Sequence, residues 1–436
     1  MMARQSGQAM MVGLILLLVV LMAALFSHQI VRIIKEKSAL LVAADAAAFS
    51  VAQEHASVLN THAFLNRAGL ANQLALAHLT TMASAERFRQ KQSMQSASHN
   101  PPATVIGMLF GPQHAAAYVA SQAGSAGGFL LPEKIKQAYR WHDRTVHELI
   151  SRSQQDLIRT WPARRDQVFE ESLIRNLSQS DPLVTRITLK QLGVSWQVDV
   201  DETKSKVVIQ GAENEEWLNM LDAVVNTQSY LSDRDYTVRN KWMIHPRCPW
   251  RRHALRRKGT TQLTGKGVWK SEDTLSFHAV RSNKWIGCYM REYPMGWSIV
   301  NPGQDRSKST EAPRNFSREA YWKWLMKREG SLKKMNAYGD NRLAHAWSTQ
   351  DAISLGGSGL GKYSTLNPLV FDTAMANSSI SIRFQVTRRY SWMPTLTVRT
   401  RSEVFFSDPA PQGETGRMNP SLFMPYWQGR IVGELK

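Results

Sequence analysis

Several clusters in the chain carry residue types that chemistry needs. His245-x-x-Cys248, followed by His253, offers three metal-ligating side chains, but the spacing fits no structural zinc pattern and no fourth ligand is evident. Gly356-Gly357-Ser358-Gly359-Leu360-Gly361-Lys362 has the glycines and lysine of a phosphate-binding loop. Such a loop needs Ser or Thr next, to ligate magnesium, and a helix to follow; here Tyr363 follows and Pro368 limits any helix, so an ordinary flexible loop is expected. Glu170-Glu171 and Glu213, Glu215 and Glu216 stand in charged, helix-like contexts and read as solvated faces. No Ser/His/Asp or Cys/His arrangement has supporting local sequence. The expectation is therefore a protein with no catalytic site, no metal and no cofactor.

Charge is the louder signal. The 436 residues hold 54 Lys+Arg against 35 Asp+Glu, a formal net charge of +19. Between Arg239 and Lys270 lie Lys241, Arg247, Arg251, Arg252, Arg256, Arg257, Lys258 and Lys266, with no Asp or Glu and with Trp242, Trp250 and Trp269 interleaved. Arg247, Arg251, Arg252, Arg256, Arg257 and Lys258 form the candidate basic patch. Phosphate charge plus ring stacking would suit nucleic acid, anionic lipid headgroups or an acidic partner would suit the charge alone, and a solvated basic loop needs no ligand.

These residues need elements to position them. Hydrophobic residues make up 43% of the chain, which argues against wholesale disorder, and two cysteines exclude a disulfide scaffold or a four-cysteine metal site. Gln5 to Val31 holds no Asp, Glu, Lys or Arg, and Ala9 to Phe26 is unbroken apolar sequence. As a helix that run covers about 27 Å, close to a bilayer's hydrocarbon thickness. A secretory signal is the competing reading, but the run exceeds an ordinary signal core and continues helically through Ile30, Ile33, Ile34, Leu40 and Leu41. Arg4 and the α-amino group precede the span, while Arg32, Lys35 and Lys37 follow it against Glu36. Counted literally, those charges place the rest of the chain in the cytoplasm.

Residues 32 to about 95 contain no proline and one glycine and read as helix, ended by Asn100-Pro101-Pro102. Within it, Ala43-Ala44-Asp45-Ala46-Ala47-Ala48 is small on every face but one, so Ala44, Asp45 and Ala48 are candidates for packing on a partner helix. His62 and Asn66 share a face, and with Arg67 and Asn72 form a candidate interaction edge beside the apolar Leu59, Ala63, Leu70, Leu74 and Ala77. A solvated stripe or a satisfied interhelical hydrogen bond would use the same residues. Gln122 to Gly128 reads as a loop, Pro132–Thr160 and Pro162–Gln179 as helices. Beyond Pro182 the period shortens, with strands expected at Ser195–Val200, Lys206–Ile209, Ser379–Val386, Leu396–Arg399 and Glu403–Phe406, and one helix near Phe316–Arg328. The predicted class is α+β: an anchor over 1–31, a helical region over 32–181, and an α+β or mostly β domain over 182–436.

Gly7-Gln8-Ala9, the apolar span and Ala43-Ala44-Asp45-Ala46-Ala47-Ala48 together resemble the N-terminal signature of the Flp pilus-assembly TadG-like (Tad domain) proteins. Leu59-Asn60-Thr61-His62-Ala63-Phe64-Leu65-Asn66-Arg67-Ala68 with Ala71-Asn72-Gln73, and Ser421-Leu422-Phe423-Met424-Pro425-Tyr426-Trp427-Gln428-Gly429-Arg430, are similar to a longer membrane-anchored subset of that group. The resemblance covers the first 80 residues and the last 30. It implies a single-pass inner-membrane protein with a periplasmic body, contrary to the charge count, whose partners are pilus or pilus-assembly membrane proteins and inner-membrane lipid. Two features depart from the group. There is no Asp-x-Ser-x-Ser metal motif, since Asp273-Thr274-Leu275-Ser276 and Asp351-Ala352-Ile353-Ser354 carry the serine one place late. Nor is there a prepilin-type processing site, because Gly7 leads to Val12 and Gly13 to Leu18 where a Glu is needed. In an oxidising periplasm Cys248 and Cys288 could pair; two separate thiols are the alternative.

Overall fold

The structure, a computed structural model, describes residues 6–123, 131–178, 189–191, 193–200, 206–211, 214–231, 233–264, 267–284, 287–300, 320–326, 353–367, 379–391, 393–407 and 419–433. Helix α1 (Ser6–Ala97) is followed by α2 (Ala103–Phe110), α3 (Pro112–Ala123) and α4 (Leu131–Arg140), a π-helical turn at Trp141–Val146, and α5 (His147–Ser178). Then come β1 (Val194–Val200), β2 (Val207–Gln210), α6 (Glu215–Val225), and the short β3 (Arg234–Asp235) and β4 (Val238–Arg239). Long strands β5 (Ala254–Leu263), β6 (Trp269–Asn283) and β7 (Gly287–Val300) precede α7 (Tyr321–Met326) and β8 (Tyr363–Leu366). The chain closes with β9 (Ser379–Arg388), β10 (Leu396–Phe406) and β11 (Trp427–Val432). A long apolar helix followed by helices and antiparallel sheets is the expected α+β class.

Alanine-rich, proline-free sequence lets α1 run unbroken for 92 residues. Its exposed span is the helix, among the described residues, that is long and apolar enough to cross a membrane. Past the span, burial follows a helical repeat. Leu40, Val51, His62, Gln73 and Ser84 recur every eleventh position, and all are inaccessible or nearly so. Because that spacing is ~3.67 residues per turn, the buried stripe stays on one side of the helix.

Two compact units result, and neither is a continuous stretch of chain. The first comprises Met1–Arg67, Ser153–Ile209 and Ser364–Lys436, the second Ala68–Arg152 and Gln210–Tyr363. The division expected at 31 and 181 is linear, whereas these units interleave along the chain. A helix buries one stripe only, so the alanine-rich part of α1 takes its cover from strands hundreds of residues later.

In the first unit the antiparallel order is β1-β9-β10-β11, and β2 pairs with β8. Ala44, Ala47, Ala48 and Val51 of α1 pack with Phe169 and Leu173 of α5 on Ile382, Phe384 and Val386. The Phe169 and Phe384 rings stack at 4.1 Å. The second unit is built on β5-β6-β7, with Phe277 and Tyr293 of the sheet against Phe88 of α1 and Phe110 of α2.

Two local expectations differ from the structure. Pro162 does not divide the helix it was expected to end: α5 continues through it. A mid-helix proline costs about 3 kcal/mol, offset here by Trp161, Phe169 and Leu173 packing in the core on either side. Leu396–Arg399 and Glu403–Phe406 are one strand, β10. The helix expected near Phe316–Arg328 is described only as Tyr321–Met326, the remainder lying outside the described residues, as does most of the Gln122–Gly128 loop.

Candidate functional site

Helix α1 carries most of the residues singled out in the sequence. Ala44 and Ala48 are fully buried against the chain's own sheet, so the small face serves close approach within the molecule and is not open to a partner helix. The same crowding recurs one step along. A Cβ on Gly429 of β11 would lie 2.7 Å from the backbone carbon of Ala52. Asp45 is half-buried and makes no hydrogen bond or ion pair among the described residues. It lies on a different line: Val31, Ile34, Ser38, Val42, Asp45 and Phe49 succeed one another at helical spacing along one face of α1. Val31, Ile34, Val42 and Phe49 expose 64, 61, 63 and 41% of their surface. Between this face and Asn176 of α5 runs an open groove of about 720 Å³.

The candidate edge His62, Asn66, Arg67 and Asn72 is mostly internal, a correction to its reading as an interaction surface. Asn66 uses its whole hydrogen-bonding capacity. Its amide donates to the carbonyls of Ser364 (2.8 Å) and Leu422 (2.7 Å), and its oxygen accepts from Ser364 N (2.9 Å) and Gln154 Nε2 (2.8 Å). His62 Nδ1 shares a hydrogen bond with Ser364 Oγ at 2.9 Å, and burial lowers the ring's pKa to about 4. His55, about two turns earlier, stacks on Trp161 at 4.4 Å, and burial pushes it to about 3. Asn60 completes the set by pairing both ways with the backbone of Trp427, its amide donating to the carbonyl and its oxygen accepting from the amide, each at 3.0 Å. The segment Leu59–Ala68 and the segment Ser421–Arg430, more than three hundred residues apart, therefore lock together. Arg67 stays exposed, with Nη2 3.5 Å from Met424 Sδ.

In the second unit, Asn72 pairs both ways with His142: its amide donates to the carbonyl at 3.1 Å and its oxygen lies 2.7 Å from Nδ1. Trp269 Nε1 donates to Gln73 Oε1 (3.2 Å), which turns the Gln73 amide toward His147 Nε2 at 2.9 Å. That ring nitrogen must then accept, so His147 is neutral, in line with the downward pKa shift that burial imposes. The glycine-rich stretch is a cradle with its anion already supplied. Ser358 N donates to both carboxylate oxygens of buried Asp143 (3.0 and 3.1 Å), and Ser358 Oγ to the Asp143 carbonyl (3.1 Å). Gly356 (φ +86°) and Gly359 (φ +93°) supply the left-handed backbone that the cradle needs. Asp143 itself sits on the π-helical turn.

Sequence reading missed a buried polar cluster on β6 and β7. Ser276 Oγ and Glu292 Oε1 both approach His278 Nε2, each at 3.1 Å. A nucleophile relay needs the hydroxyl and the carboxylate on opposite ring nitrogens, so this arrangement does not build one. Alternation of Ser276 and His278 along β6 was the available signal.

His245, Cys248 and His253, the residues with metal-ligating chemistry, are engaged otherwise. Cys248 is bonded to Cys288, with Cα atoms 5.7 Å apart. His253 Nδ1 accepts from Val280 N at 2.8 Å, and His245 Nδ1 from Arg247 N at 3.1 Å. Among the described residues no group of three or more His, Cys, Asp and Glu could hold a metal.

The basic patch divides in two. Arg247, Arg251 and Arg252 lie on the disulfide-tied loop with Trp242 and with Trp250, which is 93% exposed. Arg256, Arg257 and Lys258 lie on β5, where strand pairing brings the acids that local sequence lacks: Lys258 Nζ reaches Asp235 at 3.3 Å. Hydrogen bonding by the Thr237 hydroxyl lowers the pKa of that Asp235 carboxyl. Trp269 is buried, and Lys266 lies outside the described residues.

Comparison with protein-family models, curated proteins and solved structures finds no match to this chain.

Proposed function

We propose that the chain is a single-pass inner-membrane accessory component of a tight-adherence (Flp/Tad) pilus assembly system, its bulk periplasmic, acting through protein–protein contact without a catalytic step. The observation that carries this reading is the unpartnered face of α1. Val31, Ile34, Val42 and Phe49 continue the apolar character of the span beyond Phe26, where lipid no longer covers it. Val42 lies about 24 Å past Phe26 along the helix, outside any hydrocarbon layer that holds Ala9–Phe26. Exposed apolar surface of that kind marks a contact with another protein. The resemblance supplies the identity of the system, and the lock between Leu59–Ala68 and Ser421–Arg430 supports treating its two motifs as one structural unit.

The test is co-purification from native membranes. Val42→Glu and Phe49→Glu, both at exposed positions, should leave membrane insertion intact and sharply reduce recovery of pilus-assembly proteins; Asp45→Leu should reduce it as well. Unchanged recovery in all three refutes the reading. Topology is checked separately with Ser98→Cys, at an exposed position away from that face and the sole free thiol beside the Cys248–Cys288 bond among the described residues. Labelling by an impermeant maleimide from the periplasmic side is expected, and labelling only from the cytosol overturns the periplasmic placement.

Trp250 favours a second reading, a membrane-anchored polyanion-binding protein. A side chain 93% exposed beside Arg247, Arg251 and Arg252 combines stacking surface with charge. Binding of single-stranded DNA that falls steeply with salt and is lost in Trp250→Ala would support it; a shallow salt slope refutes it.

A further inference from the structure

The second unit contains a cleft of about 270 Å³ between α1 and the start of the β5 sheet. Ala85 and Phe88 of α1 form one wall, and Tyr230 and Tyr236 another. At its floor is Gly259, where a Cβ would fall 2.3 Å from Asp273 Oδ1 and 2.9 Å from Arg234 Nη2, so the glycine makes room for that pair. Most charges in the cleft are already matched. Arg234 Nη2 lies 3.3 Å from Asp273 Oδ1, Ser84 Oγ donates to Asp273 Oδ2 at 2.6 Å, and Lys258 pairs with Asp235 outside it. Arg257 is held less closely. Its guanidinium stands 5.9 Å from the Phe88 ring and 5.8 Å from the Tyr236 ring, and its charge favours the ionised form of Asp273 without a hydrogen bond to it.

We propose that this cleft binds a carboxylate carried on a small apolar group, with Arg257 as its ion partner. Arg234, Arg257 and Lys258 face only Asp273 and Asp235, an excess of one positive charge that suits a monoanion, and the planar fork of Arg257 matches a carboxylate. Asp273 and Asp235 nearby disfavour a second negative charge on the ligand. The aromatic walls take the apolar group, and the volume is that of about nine waters at roughly 30 Å³ each, room for a molecule the size of phenylacetate. A free small acid and the acidic side chain of a protein segment share this chemistry.

The experiment is calorimetric titration of the full chain in detergent with phenylacetate, 2-phenylethanol, inorganic phosphate and a blocked Phe–Asp dipeptide. Phenylacetate is expected to bind at least tenfold tighter than the neutral alcohol. Arg257→Gln should weaken it tenfold or more, Arg257→Lys less. Ala85→Trp, which fills the cleft from an exposed helix position while keeping every charge, should abolish it. A dipeptide that binds tighter than phenylacetate assigns the carboxylate to a protein segment, and the reverse order assigns it to a free acid. Equal binding of acid and alcohol, phosphate binding tighter than phenylacetate, or unchanged binding in both Arg257→Gln and Ala85→Trp overturns the proposal.

Discussion

Acidification should loosen the first unit through two histidines beneath α1. His55 and His62 are buried on the same stripe, and burial holds them near 3 and 4 against an ordinary 6.5; for His55 the charges of Arg165 and His62 add to the effect. Folding therefore favours the neutral rings, and the unfolded chain binds more protons. The contribution is fully present above pH 6.5 and is lost as pH falls from there toward the folded values. At pH 5 an unfolded histidine has gained its proton and the buried ones have not. The gap of about 1.5 pH units is worth about 2 kcal/mol per residue, or about 4 kcal/mol for the pair. Hydrogen-exchange mass spectrometry over the α1 peptides from Val51 to Asn66, at pH 8 and pH 5 and corrected for intrinsic rates, measures that loss. His55→Phe keeps a ring against Trp161 but cannot titrate, so it should remove about half of the pH dependence. If the variant retains the parent's full dependence, the buried-histidine argument is wrong.

Other outcomes follow from the same geometry. Cys288→Ser opens a loop with a sequence separation of 40 and should cost about 4 kcal/mol in the chain-entropy model, read as a shifted denaturant midpoint for the second unit. Gly429→Ala drives a methyl into the α1 backbone at Ala52 and should destabilise β11 by about 1–3 kcal/mol, with faster exchange confined to β10–β11. Asn66→Leu strands the buried groups of Ser364, Gln154 and Leu422 and should cost at least about 3 kcal/mol in chemical denaturation.

The span and its helical continuation were legible because both signals are local: an apolar run, then alanine-rich sequence without proline. What that helix touches was not. Small side chains at Ala44 and Ala48 announce close approach but do not say to what, and the answer is a sheet whose strands begin far along the chain. His62 and Asn66 posed the same difficulty, since polar residues on an apolar stripe read as an edge until Ser364 and Leu422 are placed against them. Strands β6 and β7 escaped notice because buried Ser276, His278 and Glu292 interrupt the alternation that marks a half-buried strand. The basic run looked uniform for a similar reason. Its neutralising acid Asp235 precedes the run in sequence and meets Lys258 only by strand pairing.

The clamp of Asn60 on Trp427 has a bearing on biosynthesis. Synthesis makes α1 before β11, yet the Asn60 side chain finds its carbonyl and amide mates only once that strand has been made. A chain cut short before Trp427 would leave that side chain without those partners and Ala52 without the close cover of Gly429. The pairing thus makes the fold of this part of α1 depend on residues made 367 positions later.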